Sequence, residues 1–148
     1  MKFDPTLAQN NMLNGGLGFL LTQARNSFMR DMEKELAPLN VTSAQFMIIV
    51  GIAHGRAHTL TEFSHYLGYD SGALKRLLDR IEDKGIIRRV RCAHDRRTWI
   101  LQLTDAGAEL YPKIMQSVQA IHARKLDAFE QEDLDQLRKY LHVMIAPA

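Results

Sequence analysis

The chain lacks most of the features that mark a specialised class. It holds one cysteine, Cys92, which excludes an internal disulfide framework and any zinc site built on cysteine pairs. Its longest apolar run, Phe46 to Val50, stops at Gly51, far short of the roughly 18 residues a membrane span needs. No basic segment leads into an apolar one at the N-terminus, so no signal peptide is expected. Four prolines and nine glycines in 148 residues are too few for a low-complexity or disordered chain. There is no phosphate-cradling glycine loop and no paired-acid cleft motif. The adjacency of Ser64 and His65 does not make a triad, so an enzyme is not expected. His54 and His58 stand four apart, but Gly55 between them points to a loop. No carboxylate completes a ligand set, so neither a metal nor another cofactor is expected. A lone thiol and seven methionines fit a reducing cytoplasm.

What the chain does have is positive charge in one place. Its formal net charge is only +2, yet Lys75 to Arg97 holds nine bases against four acids. That is +5 within 23 residues, on a protein that is otherwise −3. Clustering of this kind is the footprint of a polyanion binder, or else of a solvated face with no partner.

Periodicity places that segment among helices. Leu13, Leu17, Leu20, Leu21, Ala24, Phe28, Met32 and Leu36 recur at helical spacing and predict a long first helix from Asn11 to near Pro38. Thr42 or Ser43 can cap a second helix, apolar nearly all round from Phe46 to Ile52 and so expected at the centre. Thr59 and Glu62 fit a capping box for a short third helix that Gly68 closes. Asp70 is a good cap for a fourth, with Leu74, Leu77, Leu78 and Ile81 on one face and bases on the other. The period then shifts towards 2 over Ile86–Cys92 and Thr98–Leu103, two short strands. Thr104 can cap a fifth helix, which Pro112 is expected to bend or to start later, and a sixth begins near Gln131. The expected fold is mainly α with a small β-hairpin wing: a winged helix-turn-helix over 43–104, with long terminal dimerisation helices over 11–38 and 105–146.

A capped helix, a glycine turn, a second helix with a basic outer face and a basic hairpin make physical sense on double-stranded DNA. An α-helix fits a major groove about 12 Å wide. The arginines of a hairpin suit the negative potential of the neighbouring minor groove.

The residues go further. Leu60-Thr61-Glu62-Phe63-Ser64, Leu67-Gly68-Tyr69-Asp70, Leu77 to Ile87, Asp95-Arg96-Arg97, and Leu101-Gln102-Leu103-Thr104-Asp105-Ala106-Gly107 resemble the MarR family of bacterial transcription regulators. The close likeness runs from about 43 to 110. It implies a homodimer whose terminal helices interlock, each chain offering one winged helix to half of a pseudo-palindrome. It also implies a small-molecule effector, of the aromatic-acid or phenol class, that releases a repressor. By the same resemblance the fourth helix is the recognition helix, with Ser71, Gly72, Ala73, Lys75 and Arg76 at its groove-facing start. Asp95 would orient Arg97 towards the minor groove, with Arg96 beside it on phosphate. The chain departs from the family pattern at Asp70-Ser71-Gly72-Ala73 and at Arg91-Cys92-Ala93, which bears on base preference rather than on docking mode. Arg25, flanking the apolar stripe of the first helix, is a candidate for a ligand carboxylate, and Tyr69 for its ring; the plainer role of Arg25 is a snorkelling surface base. Two other readings stay open. One is redox sensing through Cys92, whose neighbours Arg89 and Arg91 would favour a thiolate; the family's peroxide sensors carry their cysteine in the first helix instead. The other is an interaction module or enzyme that uses the same fold without DNA.

Overall fold

The computed structural model describes residues 16–146. The predicted start of the first helix at Asn11, with Leu13, lies outside them. Among the described residues, six α-helices and one hairpin follow in the order α1 (Leu17–Leu36), α2 (Ser43–Ala53), α3 (Leu60–Leu67), α4 (Ser71–Asp83), β1 (Ile87–Arg91), β2 (Trp99–Leu103), α5 (Asp105–Leu126) and α6 (Gln131–Ile145). Mainly helical, with one two-stranded antiparallel sheet, the chain has the expected fold class.

Side-chain caps set the helix starts. The Thr42 hydroxyl accepts the N–H of Gln45 and the Gln45 side chain accepts that of Thr42, a reciprocal box that starts α2. Thr59 and Glu62 do the same for α3. Asp70 caps α4 and Thr104 caps α5. Each satisfies N–H groups that a helix start leaves without a partner. The cap at Thr104 also corrects the later start that Pro112 suggested. α5 begins at Asp105 and runs through Pro112. Proline orphans only the carbonyl four residues back, and Ala108 is exposed.

The core sits around α2. Ile48, Ile49 and Ile52 pack with Phe63 of α3, Leu74, Leu78 and Ile81 of α4, Ile87 and Leu101 of the hairpin, and Ile114 of α5. A side chain at Gly51 would place its Cβ 2.6 Å from the Phe63 ring, so glycine lets α3 lie close against α2. At Gly107 a Cβ would overlap the carbonyl of Ile86, so α5 leaves the hairpin in direct contact with the residue that leads into β1.

α1 and α5 form a second layer. Met32 and Leu36 meet Val118 and Ile121, and Lys125 pairs with Asp31 at 2.8 Å while Arg124 pairs with Glu35. The Lys125 ammonium holds the Asp31 carboxyl below its ordinary range. The predicted apolar stripe of α1 is only half covered, because Leu17, Leu20 and Leu21 are exposed. α6 buries no residue at all within this chain.

Candidate nucleic-acid interface

α3 and α4 are joined by Gly68, Tyr69 and Asp70. Asp70 Oδ1 accepts the N–H of Ala73 at 2.8 Å, so its charge is engaged as a cap. The first turn of α4 carries Ser71, Gly72 and Ala73, with Ser71 and Gly72 exposed. Leu74, Leu78 and Ile81 are buried on the inner face, which turns Lys75 and Arg76 outward to solvent. Glu62 fixes the start of α3, accepting the backbone N–H groups of His58 at 2.6 Å and Thr59 at 3.1 Å. These bonds, that of His58 foremost, keep the Glu62 carboxyl below its ordinary range.

The hairpin register pairs Ile87 with Leu103, Arg89 with Leu101 and Arg91 with Trp99. Its base is apolar and buried, and its tip is basic and exposed. Asp95 closes the loop: Oδ1 accepts the backbone N–H of Arg97 at 3.0 Å and Oδ2 the hydroxyl of Thr98 at 2.9 Å. The Arg97 N–H is the main reason its carboxyl lies below the ordinary range. Asp95 thus holds Arg97 by its main chain, not by its guanidinium. Lys75 of α4 and Arg97 of the wing line one cleft of about 670 Å³, together with Thr59, Thr61 and Trp99. Among the described residues, the charged ends of Lys75, Arg76, Arg96 and Arg97 have no hydrogen bond or ion pair.

Other bases in the same segment are spent inside the protein. Lys84 Nζ donates to the carbonyl of Asn40 at 2.6 Å and to the buried side chain of Gln45 at 2.9 Å. Arg89 bridges to Asp79 at 2.6 Å and Glu82 at 3.2 Å, tying the hairpin to α4. Arg91 lies against Trp99. The basic footprint read from the sequence is therefore divided: Lys75, Arg76, Arg96 and Arg97 face solvent, whereas Lys84 and Arg89 tie α4 to α2 and the hairpin to α4.

Arg25 and Tyr69 come together. They line a cleft of about 280 Å³ between α1, α2 and the turn before α4, with Met29, Met47, Tyr66 and Leu67. Cys92 is half-buried just after β1, and its N–H donates to the carbonyl of Thr98 at 2.9 Å. The described part of α1 holds no cysteine. His54 ends α2 and its ring bonds the Tyr111 hydroxyl at 2.6 Å. Among the described residues no three His, Cys, Asp or Glu side chains gather as metal ligands. No single helix among them is long and apolar enough to cross a membrane.

A recognition helix set beside a basic wing defines a winged helix-turn-helix regulator. The MarR family model matches residues 41–99. The multiple antibiotic resistance protein MarR of Escherichia coli strain K12 is 33% identical over 127 residues, covering 83% of this chain and 88% of that protein. The organic hydroperoxide resistance transcriptional regulator of Bacillus subtilis strain 168 is 28% identical over 144 residues, 97% of this chain and 93% of its own. Among solved structures, a mutant of E. coli MarR complexed with operator DNA superposes with a TM-score of 0.78 at 29% identity, covering 88% of this chain and 94% of that one. The chain belongs to the MarR family. It is a DNA-binding transcription regulator, not an enzyme.

Proposed function

We propose that the protein acts as a homodimeric repressor in the cytoplasm, on a pseudo-palindromic operator, and is released by a small aromatic acid or phenol. The observation that carries the DNA mode is the shared cleft of Lys75 and Arg97, flanked by Arg76 and Arg96, whose charges meet no partner among the described residues. In this reading α4 enters the major groove, with Ser71, Gly72 and Ala73 letting its first turn approach the backbone. Lys75 and Arg76 reach base edges or phosphate. Arg97 enters the minor groove, Arg96 meets phosphate, and Asp95 holds the loop that presents them. A relative of the same fold solved on operator DNA supports duplex DNA as the partner.

The dimer reading rests on uncovered apolar surface. Leu17, Phe19, Leu20 and Leu21 on α1 and Leu137, Tyr140, Val143 and Ile145 on α6 are exposed. Faces of that kind mark an interface, and two-fold symmetry suits a palindrome. The effector reading rests on Arg25 and Tyr69 sharing a cleft that abuts the lead into α4. A carboxylate on the Arg25 guanidinium and a ring against Tyr69 would favour one spacing of the two recognition helices. Release requires that ligand and DNA prefer different spacings.

The test begins with selection of duplexes from a random-sequence pool. An inverted repeat should be enriched, bound with an affinity that falls steeply with salt. Arg97→Ala should lose about 1–3 kcal/mol per half-site with unchanged folding. Failure to enrich any duplex would overturn the DNA reading. A benzoate-type carboxylate should then release the selected duplex better than its amide, and Arg25→Ala should abolish that release. An unchanged release midpoint in Arg25→Ala would remove Arg25 from the effector site.

A further inference from the structure

Arg91 and Trp99 are the last cross-strand pair before the wing loop. The Arg91 guanidinium lies over the indole, its Cζ 3.7 Å from the ring centroid. From there Arg91 Nη1 donates to the carbonyl of Arg96 at 2.7 Å. On the other side of the loop, Asp95 accepts the N–H of Arg97 at 3.0 Å. That carbonyl and that N–H belong to one peptide unit, the bond between Arg96 and Arg97. Both polar groups of a single exposed peptide are thus held by side chains, one reaching from each side. The plane of this peptide sets the directions in which the two neighbouring side chains leave the loop.

We propose that Arg91 and Trp99 are positioning residues for DNA binding: the indole holds the Arg91 guanidinium flat, and the guanidinium fixes the peptide that aims Arg96 and Arg97. The proposal rests on the reading that this wing meets DNA. Three features of the site support it. Trp99 is 44% exposed, so its ring serves a surface purpose and contributes little to the core. A planar guanidinium stacks and donates in a fixed direction, which a lysine ammonium does not reproduce. An exposed loop ordered before binding loses less conformational freedom on contact with its partner. Arg91 therefore contributes through geometry, beyond its charge.

Trp99 is the chain's only tryptophan, so its emission reports on the clasp in the free protein. The experiment compares full-length wild type, Arg91→Lys, Trp99→Leu and Trp99→Phe. It measures acrylamide quenching, thermal melting and affinity for the selected duplex over a salt series. Arg91→Lys keeps the charge, so its salt slope should match wild type. Its Trp99 emission should be quenched more readily and its duplex affinity should fall about fivefold, the scale of an exposed cation–π contact. Trp99→Leu should fall by a similar factor, and Trp99→Phe should recover most of the loss. In a background carrying both Arg96→Ala and Arg97→Ala, Arg91→Lys should add less than about a twofold change, because the groups it aims are gone. An equal loss in both backgrounds would show that Arg91 touches DNA directly and would overturn the positioning role. Unchanged quenching in Arg91→Lys would overturn the clasp whether or not any duplex is bound. A wild type that binds no duplex would instead defeat the DNA reading.

Discussion

The winged unit and the outer helices show the same kind of amphipathic pattern and reach opposite ends. In the first, Ile48, Ile49, Phe63, Leu74, Leu78 and Ile81 are buried against one another within one chain. In the second, α6 buries nothing, and Val143 and Ile145 remain 71% and 77% exposed. Periodicity announces that a face is to be covered. It is silent on whether the cover comes from the same chain or from a second copy. The two regions should accordingly answer differently to mutation and to protein concentration.

The largest effect is expected at the closed core. Phe63→Ala should cost about 3–5 kcal/mol of folding stability, read by denaturant titration. The loss should be the same at low and high protein concentration. A loss that varied with concentration would tie the winged unit's stability to association and erase the contrast between the regions.

The open face should behave the other way. Leu137→Glu places a carboxylate in the apolar trough formed with Phe28, Leu126 and Leu141. It should weaken association by about 2 kcal/mol or more, because association would take the carboxylate out of water. Light scattering should show two chains for wild type and one for the variant. The melting midpoint of wild type should rise with concentration and that of the variant should not. Equal masses would leave the apolar face without the partner assigned to it.

The smallest effect separates the two kinds of base in the winged unit. Lys84→Ala should cost about 1–2 kcal/mol of stability, since the Asn40 carbonyl and the buried Gln45 lose a charged donor. Its duplex affinity should change less than about twofold, against the larger loss in Arg97→Ala. A large loss of affinity with unchanged melting would return Lys84 to the DNA-facing group.

That last distinction marks where the sequence stopped being legible. The caps at Thr59, Asp70 and Thr104 were readable because hydroxyl or carboxylate and target N–H lie three residues apart, a purely local relation. The glycine turns and the order of elements were readable for the same reason. Charge along the sequence groups Lys84 and Arg89 with the polyanion footprint because their partners are remote. The carbonyl that Lys84 meets belongs to Asn40, 44 residues away, where the chain turns with a left-handed backbone at φ 55°. The stack of Arg91 on Trp99 depends on the strand register, which a one-residue slip would destroy. Helical spacing singles out Arg25 and its place before α4 singles out Tyr69, but only the crevice implied by the family resemblance joins residues 25 and 69, because no local relation pairs them.

Gly107 gives the molecule its mechanics. Because no Cβ fits between α5 and the Ile86 carbonyl, and Thr104 also bonds that carbonyl, the hairpin and the long helix meet without a cushion. Such a joint behaves as a weld more than a hinge. A tilt of α5 carries β1 with it, and the Arg89 bridges carry α4 along with β1. In the proposed homodimer each winged unit would then swing as one arm, and the angle between two long helices would become a distance between two reading heads.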